Sequence, residues 1–226
     1  DRLNQYIGDT LLDGQFDFNL YFDARLVFAD DSTGFPKLYN SLMESFEYYS
    51  NHSLMGNISG NHDIPRFISY ASKALSFIED EKEAGWTRNV DIIDTIGYNK
   101  LKLLSAFNLT IPGVPIIYYG DEIGMVGAGD PDNRRPMIFE GLNKQQEDVK
   151  KTIKKLFSLR ANNIALTYGE FNLIHISNNV FVYERVYLNN KVIVMLNKSK
   201  KAITLPQIKE IRSYENHFNS TTQNKQ

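Results

Sequence analysis

The run VPIIYYGDE narrows the choice of fold more than any other stretch. Val114 to Tyr119 is apolar at every step, without polar alternation, and stops at Gly120. Such a run predicts a strand buried on both faces, the condition of a strand inside a parallel sheet covered by helices. Its surroundings repeat that pattern. Phe35, Leu38, Tyr39, Leu42, Met43, Phe46 and Tyr49 follow helical spacing, with Pro36 in the first turn. Ile92 to Phe107 reads as a helix with Ile93, Ile96, Leu104 and Phe107 on one face, and Gln145 to Arg160 as another with Val149, Ile153, Leu156 and Phe157 inward. Leu54 to Ile58 is a short strand, and Phe16 to Phe22 a strand or extended entry. Residues 1–162 are therefore expected to form an α/β unit.

The texture changes near Asn163. NVFVYERVYLNNKVIVML alternates with period two, and Asn189-Asn190 offers the left-handed conformers of a tight hairpin. A further short strand is expected at Ala202 to Leu205. Residues 163–226 thus read as antiparallel β, with a disordered tail from about Asn219. If each part buries its own core, the two should unfold separately.

Composition excludes several functions. A chain of 226 residues with 42% hydrophobic content can bury one large or two modest domains. A net charge of −2 without basic clusters gives no reason to expect nucleic acid. No run approaches the roughly eighteen apolar residues of a membrane span, and the first residues do not read as a signal peptide. The absence of cysteine removes disulfides and thiolate metal sites. The 13 Tyr and 14 Phe belong mostly to the core, but flat aromatic faces also suit sugar rings.

Side chains just past the carboxyl ends of parallel strands converge on the ligand. One end here carries Asn61, His62, Asp63 and Arg66; the other carries Tyr118, Tyr119, Asp121 and Glu122. An aspartate beside an imidazole can grip vicinal sugar hydroxyls through charge-assisted hydrogen bonds. Standing alone, the pair would equally suit a solvated loop. Glu122 reads as a structural brace rather than a catalytic group. The loop GAGDPDNRRPM, Gly127 to Met137, is dense in charge for a plain connection. Its Asp130 and Arg134 either contact a sugar or pair to hold the loop shut.

GNHDIPRF, AFNLTIPGVPIIYYGDEIGM and GDPDNRRPM, in this order and spacing, resemble the α-amylase superfamily of retaining glycoside hydrolases, in its neopullulanase, cyclomaltodextrinase and maltogenic-amylase branch. The resemblance runs from about Phe16 to Leu205. It implies the carboxyl-terminal part of a (β/α)8 barrel, about strands six to eight over residues 1–162, followed by an antiparallel β-sandwich over 163–226. It gives Asp63 the role of transition-state stabiliser at the end of the seventh strand. His62, Asn61 and Arg66 join it as substrate-binding residues at the glucose being cleaved, and Asp130 and Arg134 contact glucose units on the non-reducing side.

Hydrolysis of a glycosidic bond normally takes two carboxyl groups. In the family these are an Asp in a Gly-x-Arg-x-Asp segment after strand four and a Glu after strand five. Neither motif occurs in these residues. The stretch from Asp23 through Arg25 to Asp30 lacks the required Asp and reads as a helix start, and Asn51-His52 ends a helix. The partners of Asp63 are therefore expected upstream of Asp1, and the chain alone is expected to be inactive. The implied partner is an α-glucan oligosaccharide or polysaccharide, with no nucleic acid and no membrane, and the whole enzyme could be a homodimer. The resemblance favours a periplasmic or secreted setting over the cytoplasm. No cofactor is expected in this chain; calcium belongs to the parent enzyme if anywhere, since no segment here has the spacing of a calcium loop. A reading of Asp63 and Glu122 as the dyad of a smaller hydrolase fails on economy, because a half barrel would leave hydrophobic strand edges open. The alternative reading is a non-catalytic amylase-like protein that binds glycans or serves as an accessory subunit.

Overall fold

A computed structural model of the chain describes residues 6–7, 10–49, 54–203 and 217. The expected helix end at Asn51-His52, the second half of the strand expected at Ala202 to Leu205 and the tail from Asn219 lie outside the described residues.

Strands β1 (Gly14–Phe16), β2 (Leu54–Ile58) and β3 (Val114–Ile116) pair in parallel in that spatial order, aligning Phe16 with Gly56 and Gly56 with Val114. A Cβ on Gly56 would lie 2.7 Å from Phe16 Cδ1 and 3.0 Å from Ile116 Cδ1, so larger side chains from both neighbours close over this position.

The apolar run yields a shorter strand than expected. Ile117 to Tyr119 leave the ladder, because the chain must turn at Gly120, whose φ is 85°, into a 3-10 turn at Asp121–Ile123. Nor is the strand sealed on both sides: it is an edge of the described sheet, and Val114 is exposed.

The entry Phe16 to Phe22 is also corrected. Phe16 ends β1, Asp17 accepts the Leu20 N–H at 2.9 Å as an N-cap, and helix α1 (Phe18–Ala29) begins. The Asp23 to Asp30 segment is consequently the body of α1 and its C-cap, not a helix start.

Helix α2 (Phe35–Tyr49) has the expected bounds and buries Phe35, Leu38, Leu42 and Tyr49. Short helices α3 (Phe67–Ala71) and α4 (Glu81–Thr87) follow β2. Helix α5 (Ile96–Thr110) starts later than its periodicity suggested, because Asp94 takes the Ile96 N–H at 3.0 Å and sets the entry there. Ile93, expected on the inner face, is left exposed. Helix α6 (Lys144–Asn162) is opened by a capping box between Asn143 and Gln146. It buries Val149, Ile153 and Leu156, while Phe157 points outward, contrary to expectation.

A short helix α7 (Ile164–Tyr168) precedes the meander of β4 (Glu170–Ile176), β5 (Val180–Tyr187) and β6 (Asn190–Asn197). Tyr187 pairs with Asn190, so the hairpin turns on Leu188 and Asn189. The left-handed residue is Leu188, at φ 50°, rather than either asparagine.

Among the described residues this part is one sheet and not a sandwich. Its second layer is the helices of the first part. Phe181 lies 5.7 Å from Phe35 and 6.4 Å from Phe107, ring centre to ring centre, and Phe171 lies 5.6 Å from Phe46. Phe28, Leu38, Leu104, Phe181, Tyr183 and Leu196 accordingly belong to one hydrophobic cluster.

Buried arginines seal the junction. Arg160 donates to the carbonyls of Leu109 and Ile111 at 3.0 and 3.1 Å. Arg185, fully out of solvent, donates to Thr110 and Gly169 carbonyls. The Leu109, Thr110 and Ile111 carbonyls are acceptors that the end of α5 leaves without helical partners, at the pole where a cation is favoured, and Gly169 is the C-cap of α7. Lys198 does the same for α1, donating to the Val27 carbonyl at 3.0 Å.

Candidate active site

Two loops after the strand ends build the site. β2 stops at Ile58, and Asn61 Oδ1 accepts the Asp63 N–H at 2.8 Å, folding the backbone into a tight Asx turn. His62 and Asp63 project from it with 63% and 66% of their side chains exposed, and His62 Nε2 lies 3.3 Å from Asp63 Oδ1. The second loop, from Gly127 to Met137, folds over the first.

Arg134 stands between two carboxylates. Its Nε is 2.8 Å from Asp130 Oδ1, and its Nη2 is 3.7 Å from Asp63 Oδ1. The same Nε donates to the His62 carbonyl at 3.0 Å. The clasp envisaged for Asp130 and Arg134 is therefore formed, and both side chains still keep 44% of their surface in solvent. Four of the expected site residues, His62, Asp63, Asp130 and Arg134, meet on one face, with Asn61 bracing the turn that presents them.

Arg66 is a correction. It lies beneath that face, 1% exposed, and so cannot touch a ligand directly. Nη1 sits 3.0 Å from Asp121 Oδ1 and also donates to the Tyr119 carbonyl, while Nε donates to the Asn133 carbonyl at 2.9 Å. Its guanidinium stacks under Tyr118 and Tyr119, with the carbon 4.0 and 4.6 Å from the ring centres. Desolvation is the physical reason for this crowding: a buried cation is tolerable only with an anion beside it, and here Nε and Nη1 are bonded while Nη2 is buried without a hydrogen bond. Burial pushes the Asp121 carboxyl above its ordinary range, opposed by Arg66 and by the Ser59 hydroxyl, which donates to Oδ2 at 2.7 Å.

Bracing at Asp121-Glu122 was expected of the glutamate. Asp121 supplies it instead, through Arg66 and Ser59 side chains, whereas Glu122 Oε2 is buried without a hydrogen bond.

Other residues of the site were not foreseen. Asn133, fully buried, donates from Nδ2 to the carbonyls of His62 and Ile64, each at 2.9 Å. Asp132 pairs with Arg135 at 2.7 Å. An open groove of ≈ 450 Å³ runs past Asp63, Gly129 and Asp130 to Asp80, Glu81 and Lys82 at the start of α4. Asp80 caps α4 by accepting the Lys82 and Glu83 N–H groups, each at 2.9 Å, a sequence signal legible in DEKE; its place beside Asp63 was not.

The face thus combines carboxylates with a guanidinium and an imidazole, side by side and wet, which suits hydroxyl-rich ligands that both donate and accept. Among the described residues no group of three or more His, Asp or Glu is placed to hold a metal ion, and no helix is long and apolar enough to cross a membrane.

Residues 1–164 match the family model for alpha amylase, catalytic domain. A cyclomaltodextrinase of Thermoanaerobacter pseudethanolicus is 36% identical over 148 residues, covering 66% of this chain and 22% of the relative. Neopullulanase 2 of Thermoactinomyces vulgaris is 39% identical over 163 residues, covering 67% and 28%. The crystal structure of an alpha-amylase from Geobacillus thermoleovorans, complexed with acarbose, aligns at a TM-score of 0.64 and 28% identity over 83% of this chain and 37% of that one. The chain spans well under half the length of each of these proteins. With the first 164 residues matched and the motifs at the ends of β2 and β3 set side by side, the chain belongs to the alpha-amylase catalytic-domain family.

Proposed function

We propose that these residues form the carboxyl-terminal part of the catalytic barrel, and the start of the following β domain, of an α-glucan hydrolase that cleaves α-1,4-glucosidic bonds with retention. In this reading β1, β2 and β3 are about the sixth, seventh and eighth barrel strands. Asp63 is the transition-state stabiliser, and His62 holds a hydroxyl of the same glucose. Asp130 and Arg134 contact sugar on the non-reducing side. The nucleophilic Asp and the Glu acid/base lie outside these 226 residues, which by themselves have no turnover.

One observation carries the reading: Asp63 is presented at a parallel strand end, exposed, with His62 at 3.3 Å and Arg134 at 3.7 Å. As positive charge develops on the sugar ring, its hydroxyls become better donors, and a fixed carboxylate binds them more strongly than in the ground state. The sugar-acting names of the relatives support the substrate class.

The test uses a chromogenic maltooligosaccharide with residues 1–226 alone and with a longer chain supplying the preceding barrel strands. Only the longer chain should turn over, releasing product of retained anomeric configuration by NMR. Turnover by residues 1–226 alone, lost in Asp63→Asn, would overturn the assignment.

A further inference from the structure

We infer that Asn133 is a positioning residue for Asp63, acting through the carbonyls of the residues immediately before and after it. Asp63 carries its carboxylate into solvent, where its only described side-chain neighbours within ion-pair range are His62 and Arg134, themselves exposed. None of these flexible contacts can fix the carboxylate to a fraction of an ångström. The backbone can. Asn133 has no exposed surface, and its amide group donates at 2.9 Å to His62 O and at 2.9 Å to Ile64 O, the carbonyls on either side of Asp63.

The clamp is reciprocal. Arg66, the residue that leaves this turn, returns a hydrogen bond to the Asn133 carbonyl at 2.9 Å, and its own N–H donates to Gly127 O at 3.0 Å. Asn61 holds the Asp63 N–H from the other side at 2.8 Å. A buried primary amide supplies two donors from one nitrogen, which serine, threonine or aspartate at neutral pH cannot do. Angular error at the Asp63 Cα is magnified along the side chain, and misplacement by about 1 Å can cost about a hundredfold in rate.

The kinetic consequence rests on the glycosidase reading; the mechanical one does not, so both are measured in the full-length protein. In Asn133→Ala, amide hydrogen exchange over residues 59–66, which includes the bonded N–H groups of Asp63 and Arg66, should be about tenfold faster, with β4 to β6 unchanged. On a maltooligosaccharide, kcat should fall about tenfold to a hundredfold while KM moves less than about threefold. Asn133→Asp keeps the shape but presents a carboxylate to two carbonyls. Its kcat relative to the unsubstituted enzyme should rise as pH falls, because the protonated acid regains one donor; a group that merely filled space would give a flat ratio. Unchanged exchange over 59–66, or a raised KM with intact kcat, overturns the inference. So does global loss of protection in both variants, which would make Asn133 a determinant of folding instead. If the unsubstituted enzyme does not turn over, the glycosidase reading fails and the exchange result still decides the clamp.

Discussion

Arg66 Nη1 and Asp121 Oδ1 lie 3.0 Å apart with 1% and 4% of their side chains exposed, and this buried pair joins the loop after β2 to the turn after β3. The loops that carry Asp63 and Arg134 rest on it. Arg66 also donates to two backbone carbonyls, so no aliphatic side chain can replace all that it does.

Arg66→Met should therefore destabilise the protein by about 3–5 kcal/mol at neutral pH, since it strands the Asp121 charge in the interior. The pH dependence follows from Asp121. Its folded pKa is already raised by burial, and loss of Arg66 raises it further. A raised carboxyl favours the folded state most below its unfolded pKa of about 3.9, and that contribution is lost as pH rises through the folded value. The deficit of the variant relative to the parent should shrink on acidification. Urea titrations at neutral and mildly acidic pH measure it; a constant deficit would remove Asp121 as its cause.

Asp63→Asn in the complete enzyme should lower kcat about a hundredfold with little change in KM, as expected for a contact that strengthens in the transition state. Steady-state kinetics on a maltooligosaccharide decide this. A normal kcat with raised KM would confine Asp63 to ground-state binding.

Phe181→Ala should destabilise the whole described fold, by about 3–5 kcal/mol. Phe181 has no exposed surface and packs on Phe35 and Phe107, so β5 and the helices share its loss. Denaturation of the parent protein followed by near-UV and far-UV circular dichroism should give coincident curves, both shifted in the variant. Two separated transitions would restore the independent domains that the change of sequence texture suggests.

Leu188→Asn should stabilise by about 1 kcal/mol. Leu188 holds a φ of 50° at an exposed hairpin tip, a region that costs a branched side chain about 1–2 kcal/mol and suits asparagine. A thermal melt of the variant against the parent checks it, and a lower midpoint would contradict the turn geometry.

Periodicity alone determined much of this protein. Seven apolar positions from Phe35 to Tyr49 set α2, whose bounds they match, and the apolar stretches on either side of Asn189 set β5 and β6, although β5 buries Val180 to Tyr183 in succession rather than at alternate positions. The motif around His62 and Asp63 marked a strand end because its residue types follow a short apolar strand, and that is where the structure places them. These features are local: a helix face or a strand face is written within a few consecutive residues.

Tertiary structure decided the rest. Whether Ile117 to Tyr119 continue β3 depended on the turn at Gly120, and the packing of the described residues leaves Ile93 and Phe157 exposed. Arg66 and Arg134 look alike in the sequence, each an arginine near a proline. One is buried on Asp121 and the other is open between Asp63 and Asp130. Asn133 gave no signal at all, because its role lies in two carbonyls that belong to another loop. The second layer over β4 to β6 likewise came from helices far away in the chain. Period two says that one face of a sheet is covered but not by what; only the fold, by bringing Phe35 and Phe107 against Phe181, supplies the cover.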